Sequence, residues 1–235
     1  MLCNMKCEYC FQRRSDYWKT ITPKKDHELI VQQIKELDHD IHFTIIGGEP
    51  TLHPALRPFL INLGNTSQVK EIEVYTNAFK YYDFKSLPKN VLDKISLTIS
   101  AHDDYSKLIP NIKMYSEIFD KDHIHLIMMM EEGSEERTQA LYNELKDICD
   151  IEYNCVIDFD TLEVHKYNPH GVHLSEPHFY KGCKCKIENF DISCVGDILL
   201  MCRNYGFNIH KNTLKEIIEK YLNTEIICPE EICMG

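Results

Sequence analysis

The segment Phe43-Thr44-Ile45-Ile46-Gly47-Gly48-Glu49-Pro50 is the clearest indication of the fold class. Its first half is a short apolar run that ends directly at two glycines, which is typical of a buried strand that stops at a turn. A helical pattern over Lys24–Leu37 precedes the run, with its apolar residues on one face, and Ala55–Leu63 predicts a second helix after it. Because helices flank the strand on both sides, we expect βα units and a parallel sheet.

The same alternation of strands and helices continues along the chain. Further strands are predicted at Ile72–Tyr75, Ile95–Ser100, His123–Met130 and Cys155–Phe159, and further helices at Tyr105–Phe119 and Glu135–Ile148. The fold class is therefore α/β, with five parallel strands.

Beyond residue 160 the alternation of strands and helices stops. Two short apolar runs, Phe190–Ser193 and Ile198–Met201, flank a Gly-containing turn and predict a β-hairpin, and Thr213–Leu222 predicts a last helix. We therefore expect a first domain over residues 1–160 and a small cysteine-rich subdomain over residues 161–235.

Composition excludes several classes of protein. The chain has 235 residues and a formal net charge of −11, which argues against a nucleic-acid partner held by phosphate neutralisation. No apolar run reaches the roughly 18 residues of a membrane span, and the N-terminus lacks a secretory signal, so we expect a cytoplasmic protein with no membrane partner. Because cytosolic thiols are kept reduced, the 11 cysteines indicate metal ligation or redox chemistry.

Three cysteines stand close together in the segment Cys3-Asn4-Met5-Lys6-Cys7-Glu8-Tyr9-Cys10. Their C-x3-C-x2-C spacing lets one loop wrap a single inorganic cluster. An iron-sulfur cube has four irons, so three thiolates leave one iron without a protein ligand, and an open position of this kind marks a reactive site. The alternative is a structural zinc site, which needs four ligands, and no second cysteine pair lies nearby in the sequence.

This segment resembles the signature of radical S-adenosylmethionine (SAM) enzymes, which have an aromatic residue before the third cysteine. The resemblance implies a partial (β/α)6 barrel and a [4Fe-4S] cluster held by Cys3, Cys7 and Cys10, with SAM chelating the fourth iron and Tyr9 contacting the adenine. Members of the family usually have a strand just before the cysteine loop, whereas only two residues precede Cys3 here. Either the true start lies upstream, or the barrel lacks its first strand.

Three strand ends carry the remaining predicted SAM contacts. Gly47, Gly48, Glu49 and Pro50 resemble the family's Gly-Gly-Glu-Pro motif, in which the glycines let a ligand approach the backbone and a carboxylate or carbonyl accepts hydrogen bonds from an ammonium. The further contacts are Thr76 and Asn77, which resemble the family's Thr-Asn-Gly segment, and Ser100 at the end of the next strand. For Asn77 and Ser100 the alternative is a turn residue and a helix cap.

The cysteines near the C-terminus resemble the shortened auxiliary-cluster region, called twitch, of the SPASM/twitch branch of this family. The candidate ligands are Cys183, Cys185, Cys202, Cys228 and Cys233. The resemblance implies a second [4Fe-4S] cluster on four of them, with only one of Cys183 and Cys185 taking part. Tetrahedral zinc is the rival metal. We expect Cys149, Cys155 and Cys194 to be ordinary thiols.

The resemblance implies an enzyme that reductively cleaves SAM to a 5'-deoxyadenosyl radical, which abstracts hydrogen from a substrate. The expected partners are a peptide or protein substrate and a reductant such as flavodoxin or ferredoxin. Two alternatives remain open. One is a dehydrogenase or cofactor-biosynthesis enzyme that acts on a small metabolite, and the other is a non-catalytic cysteine-rich metal-binding module. Nucleotide and tRNA-base chemistry ranks behind peptide and metabolite substrates because of the acidic balance of the chain.

Overall fold

The centre of the computed structural model is a seven-stranded sheet in which five consecutive strands are parallel and follow the order of the chain. The strands are β1 (Ile41–Ile45), β2 (Val69–Thr76), β3 (Ile95–Ala101), β4 (Ile124–Met130) and β5 (Asp150–Ile157). Two short strands, β6 (Val164–His165) and β7 (Leu174–Ser175), both pair with β5. The prediction of an α/β fold with five parallel strands is confirmed.

The structure describes residues 2–7, 10, 20–102, 105–130, 133–157, 164–165, 174–175, 182, 184–200 and 203–227. Within these residues β1 pairs only with β2, so the strand expected before the cysteine loop is not among them. No helix in the described part of the chain is long and apolar enough to cross a membrane.

Helices cover one face of the sheet. They are α1 (Lys24–Lys35), α2 (Leu56–Gly64), α3 (Lys89–Leu92), α4 (Tyr105–Tyr115) and α5 (Glu135–Leu145). Alternate strand residues such as Val74, Leu97 and Leu126 are fully buried in one core with these helices. Phe43 of β1 meets Phe59 of α2 edge to face, with ring centroids 5.7 Å apart. The core therefore lies between sheet and helices and leaves the opposite face of the sheet open.

The C-terminal part builds two small antiparallel sheets. One pairs β8 (Lys184–Lys186) with β12 (Glu225–Ile227), and the other consists of β9 (Phe190–Ile192), β10 (Asp197–Leu200) and β11 (Arg203–Asn208). The single helix described in this part, α6 (Leu214–Tyr221), begins at a capping box. The Thr213 hydroxyl accepts from the Glu216 N–H, and the Glu216 carboxylate accepts from the Thr213 N–H, each at 3.2 Å.

This C-terminal part is fastened to α1 by buried hydrogen bonds. The side chain of Gln33 donates to the carbonyl of Ile209 and accepts from the N–H of Leu214, both at 2.8 Å. An exposed ion pair joins Lys215 to Asp38 at 2.6 Å beside them. Buried amide hydrogen bonds of this kind fix the orientation of α6 against α1, because losing either partner would leave a polar group without compensation.

Several sequence predictions need correction. The fifth strand runs over Asp150–Ile157 and therefore begins earlier than the predicted Cys155–Phe159. Its alternating polar and apolar residues, from Asp150 to Asn154, reflect a strand with only one face buried, whereas the sequence prediction rests on the apolar residues from Cys155 onward. β8, β11 and β12 were not predicted, since two of them are three-residue strands defined by distant partners. The predicted site residues Tyr9, Cys183, Cys202, Cys228 and Cys233 lie outside the described residues.

Candidate functional site

Glu49 makes several hydrogen bonds at the carboxyl edge of the sheet, where β1, β2 and β3 end. Its side chain is only 2% exposed. Oε1 of its carboxylate accepts from the N–H and the hydroxyl of Thr51, at 3.1 and 2.6 Å, and from the hydroxyl of Thr76 at 2.8 Å. Oε2 accepts from the N–H of Asn77 at 2.7 Å. This buried carboxylate therefore ties the end of β1 to the end of β2.

The two residues after β2 are fixed by further hydrogen bonds. The Thr76 hydroxyl accepts from the N–H of Ala78 at 3.0 Å, and the Asn77 side-chain oxygen accepts from the N–H of Phe79 at 3.0 Å. The amide nitrogen of Asn77 donates to the side-chain oxygen of Asn4 at 2.8 Å. Asn77 is thus both a turn residue and a link to the cysteine loop. Ala78 has a φ of 49°, in the left-handed region, where a glycine would be unstrained.

Gly47 and Gly48 connect β1 to Glu49. Gly47 has a φ of 152°, which side chains with a Cβ rarely adopt, and a Cβ built there would meet no atom within 4 Å. The open space beside Gly47 therefore leaves its backbone accessible to a ligand. Pro50 opens a short 3₁₀ turn, Pro50–Leu52, whose first residues are held by the Glu49 carboxylate.

The cysteine loop lies across three strand ends in succession. The N–H of Glu49, after β1, donates to the carbonyl of Leu2 at 2.6 Å. Asn77, after β2, holds Asn4. The third contact joins Cys7 to His102, the first residue after β3, with 3.5 Å between Sγ and Nδ1. Loop residues 2, 4 and 7 thus meet the ends of β1, β2 and β3 in that order.

All three thiols of the loop are half-buried. Burial, together with the negative charges of Glu49 and Cys10, raises the pKa of the Cys3 thiol, although the N–H of Met5 donates to its sulfur at 3.4 Å. A bound cation would reverse this balance and favour the thiolate. Among the described residues, no three His, Cys, Asp or Glu side chains could hold one metal ion. In a four-iron cluster each thiolate binds a different iron, so the donor chemistry of this loop fits such a cluster.

The open face of the sheet is polar and acidic. It carries Glu71 and Glu73 of β2, which alternate with the buried Ile72 and Val74. Glu71 accepts from the hydroxyl of Ser96 at 3.0 Å and contacts Nδ1 of His42 at 2.9 Å. Glu73 accepts from the hydroxyls of Thr44 at 3.1 Å and Thr98 at 2.5 Å. These bonds place two carboxylates on the open face between β1 and β3.

Tyr75 lies further along the same face, towards the carboxyl edge. Burial raises the pKa of its hydroxyl, and the negative charges of Glu73 and Glu152 add to the shift. Ser100 is half-buried near the end of β3, two residues before His102. Glu73 and Glu152 therefore bring negative potential to the open face around Tyr75.

Of the C-terminal cysteines, Cys185 and Cys194 can be placed. Cys185 is half-buried in β8, opposite Ile226 of β12. Cys194 lies in the turn between β9 and β10. Between α5 and β5, burial in the core raises the pKa of Cys149 to about 12, which fits an ordinary structural thiol.

The structure brings together Cys3, Cys7, Glu49, Thr76 and Asn77 of the predicted site. Sequence reasoning missed three residues that join them, namely Asn4, Thr51 and His102. His102 could have been noticed as a polar residue two positions after the predicted strand Ile95–Ser100, since such positions share the carboxyl edge with the other candidates.

Comparisons with known proteins agree with this geometry. The family model of the radical SAM superfamily matches residues 2–148. An S-adenosylmethionine-dependent nucleotide dehydratase of Flammeovirga pacifica is 35% identical over 104 residues, which cover 42% of this chain and 35% of that protein.

Two crystal structures of Streptococcus suis SuiB share the fold. SuiB bound to S-adenosylmethionine has a TM-score of 0.63 at 17% identity, with 94% of this chain and 63% of SuiB covered. SuiB bound to its precursor peptide SuiA has a TM-score of 0.64 at 17% identity, with 92% of this chain and 62% of SuiB covered. This chain therefore spans less than two thirds of SuiB and about a third of the dehydratase.

Proposed function

The chain belongs to the radical SAM superfamily, and from that premise we propose that it is an enzyme that cleaves SAM reductively and oxidises or matures a peptide or protein. Cys3, Cys7 and Cys10 would hold a [4Fe-4S] cluster. When bound, the cluster and SAM supply a one-electron cleavage that generates a 5'-deoxyadenosyl radical for hydrogen abstraction. A flavodoxin or ferredoxin would deliver the electron.

The observation that carries this proposal is the path of the cysteine loop over the ends of β1, β2 and β3. Ligands of parallel α/β folds bind outside the carboxyl ends of the strands. A loop with three thiols at this edge places its donors beside the residues expected to contact SAM. The half-buried position of the thiols also limits access of water to bound metal.

The roles of the chain's own residues follow from their contacts. The carboxylate of Glu49 already accepts four hydrogen bonds, so its part is to hold the strand ends in place. The accessible backbone at Gly47, with Gly48 next to it, would then receive the SAM ammonium through carbonyl oxygens. Ser100 would supply a hydroxyl and Tyr9 an aromatic surface for the nucleoside part of SAM.

The open face favours a peptide over a nucleotide as the substrate. Glu71 and Glu73 lie side by side along β2, and Glu152 of β5 adds a third carboxylate on the same face. A polyphosphate would meet like charge there, whereas a peptide with a basic side chain would be attracted. The fold shared with SuiB, whose structure contains a precursor peptide, supports the same substrate class.

A nucleotide is the second candidate substrate, because the relative of 35% identity is a nucleotide dehydratase. The two candidates can be separated by the stimulation of 5'-deoxyadenosine formation. We expect each of the four common ribonucleoside triphosphates to leave the rate of 5'-deoxyadenosine formation unchanged. Each is tested at about 1 mM, the upper end of ordinary KM values. A tenfold or greater stimulation by one of them would refute the peptide proposal and favour nucleotide chemistry.

We also propose that residues 161–235 form a unit that holds a second [4Fe-4S] cluster. The ladder of β8 and β12 supports this, since it pairs Lys184 with Ile227. Cys183 directly precedes Lys184 in the sequence and Cys228 directly follows Ile227. Cys202, Cys228 and Cys233 would be three of the ligands. The fourth would be either Cys183 or the half-buried Cys185. About eight irons per chain would support two clusters, and about four irons with one zinc would make this unit a zinc site.

The central experiment is anaerobic reconstitution followed by reaction with dithionite and SAM. The wild-type chain should form 5'-deoxyadenosine, and Cys7→Ala should abolish it. Cys194→Ala is the matched control, because Cys194 lies in a hairpin turn and should leave the activity unchanged. A reconstituted wild type that binds iron and never cleaves SAM would refute the proposal and favour a non-catalytic metal-binding module.

A further inference from the structure

We propose that His102 donates an N–H···S hydrogen bond to the Cys7 thiolate and thereby makes the cluster easier to reduce. This inference rests on the proposed function, since it takes Cys7 as a cluster ligand. Its basis is the 3.5 Å separation between Nδ1 of His102 and Sγ of Cys7, two residues that are 95 positions apart in the sequence. His102 is thus a positioning and tuning residue that acts through Cys7.

The direction of the bond follows from the chemistry of its two ends. A thiolate bound to iron has no proton and can only accept a hydrogen bond. Nδ1 of His102 must therefore carry the hydrogen, because an Nδ1 lone pair would face the sulfur lone pairs. Nε2 is left for another partner or for solvent. His102 can act as this donor as a neutral imidazole, so its role does not depend on a change of charge.

The effect on reduction follows from charge. Adding an electron makes a cluster and its thiolates more negative, and a donor aimed at a ligand sulfur stabilises the more negative state. The midpoint potential should therefore be higher with His102 than without it. Among the described residues, Cys3 also accepts an N–H at its sulfur, but that donor is the backbone of Met5 in the same loop. His102 is the donor that a side-chain substitution can remove.

The position of His102 explains why it can hold this geometry. It directly follows β3, whose residues are buried in the middle of the sheet, so its backbone is fixed by a rigid element. Asn77 fixes Asn4 in the same way from the end of β2. The loop is thereby held on both sides of Met5 and Lys6, and the Cys7 sulfur is presented to a donor that does not move with the loop.

The test compares four variants of the reconstituted holoprotein with the wild type. His102→Leu removes the donor at similar bulk, and His102→Phe is a second donor-free replacement that keeps a ring. His102→Asn retains an amide nitrogen close to the place of Nδ1. His123→Leu is the matched control, since His123 is exposed just before β4 at the opposite edge of the sheet. The readouts are iron and sulfide content and the midpoint potential from an electron paramagnetic resonance titration without SAM.

The signal to be followed is the one that Cys7→Ala removes, which assigns it to the N-terminal cluster. We expect His102→Leu and His102→Phe to make reduction about tenfold less favourable, which is a shift of about 59 mV to lower potential for one electron. His102→Asn should recover much of that shift, and His123→Leu should match the wild type. Iron content should be the same in all four variants.

Three outcomes would overturn the inference. Potentials of the donor-free variants equal to the wild type would show that His102 does not act on the cluster. Loss of iron in both His102→Leu and His102→Asn would make His102 a metal ligand instead. A wild type that forms no cluster through Cys7 would overturn this inference together with the proposed function. A shifted potential in a chain that never cleaves SAM would support His102 as a donor and refute the proposed function alone.

Discussion

Replacing Glu49 with glutamine tests whether its buried carboxylate holds the carboxyl edge together. Both oxygens of Glu49 are needed, because the N–H of Thr51 donates to Oε1 and the N–H of Asn77 donates to Oε2. Glutamine has the same shape and only one carbonyl oxygen. In either orientation its amide NH2 faces one of these backbone N–H groups, which cannot reverse its role as a donor.

The expected loss of stability follows from the hydrogen bonds that glutamine cannot make. Glu49→Gln removes one charge-assisted hydrogen bond and thereby leaves a buried backbone N–H without an acceptor, which costs about 1 to 3 kcal/mol. We expect the free energy of unfolding to fall by this amount. Urea unfolding followed by far-ultraviolet circular dichroism measures this directly, with both proteins at the same metal loading.

Glu73→Gln is the matched control. The Glu73 carboxylate accepts from two hydroxyls, those of Thr44 and Thr98. A hydroxyl can rotate and accept a hydrogen bond from an amide NH2, so this variant should lose less than about 1 kcal/mol. Equal losses of unfolding free energy for Glu49→Gln and Glu73→Gln would refute the idea that fixed backbone donors make the Glu49 carboxylate essential to this edge.

Three further predictions concern the surrounding elements. Burial, with the nearby His53, lowers the pKa of His27 to about 4, so the unfolded state protonates first. Because the imidazole is partly exposed and screened by solvent, stability should fall by about 1 to 2 kcal/mol as the pH drops from about 6.5 to 4. His27→Phe should flatten this pH profile of urea unfolding. Gly64→Ala should lower the thermal midpoint, with a loss of about 1 to 3 kcal/mol, because its Cβ would lie 2.7 Å from Cγ1 of Val91. Gln33→Leu should cost about 2 kcal/mol in urea unfolding by leaving two buried backbone groups unpaired.

The sheet could be predicted from sequence because its signal is local. Strands such as Ile95–Ala101 lie between helical patterns, and their apolar residues alternate with small hydroxyl residues, which is the local period of a strand. The start of β5 was wrong because Asp150, Glu152 and Asn154 interrupt its apolar pattern on the open face. The short strands β8 and β12 carry too few residues for a pattern of their own, and only their pairing across the chain defines them.

Some residues of the candidate site could be predicted from sequence, and others could not. Residues in a motif directly after a strand, such as Gly47, Glu49 and Asn77, could be proposed from sequence because the topology of parallel strands sends them to one edge. What could not be predicted was the direction of the Glu49 side chain. Its carboxylate turns into the protein, where four donors hold it. His102 was missed because its contact with Cys7 spans 95 residues and has no local pattern.

The cysteine loop and the expected SAM contacts are held by the same residues, so the proposed metal binding and cosubstrate binding would be linked. Glu49 joins both, since its carboxylate fixes the end of β2 while its N–H holds the Leu2 carbonyl at the start of the loop. Asn77 also joins the two, because its backbone N–H donates to the Glu49 carboxylate and its side-chain amide donates to Asn4. A change at either residue should therefore weaken cluster retention and SAM affinity together. If a Glu49→Gln chain kept its full iron content and lost only SAM binding, the loop would depend on anchors other than these strand ends.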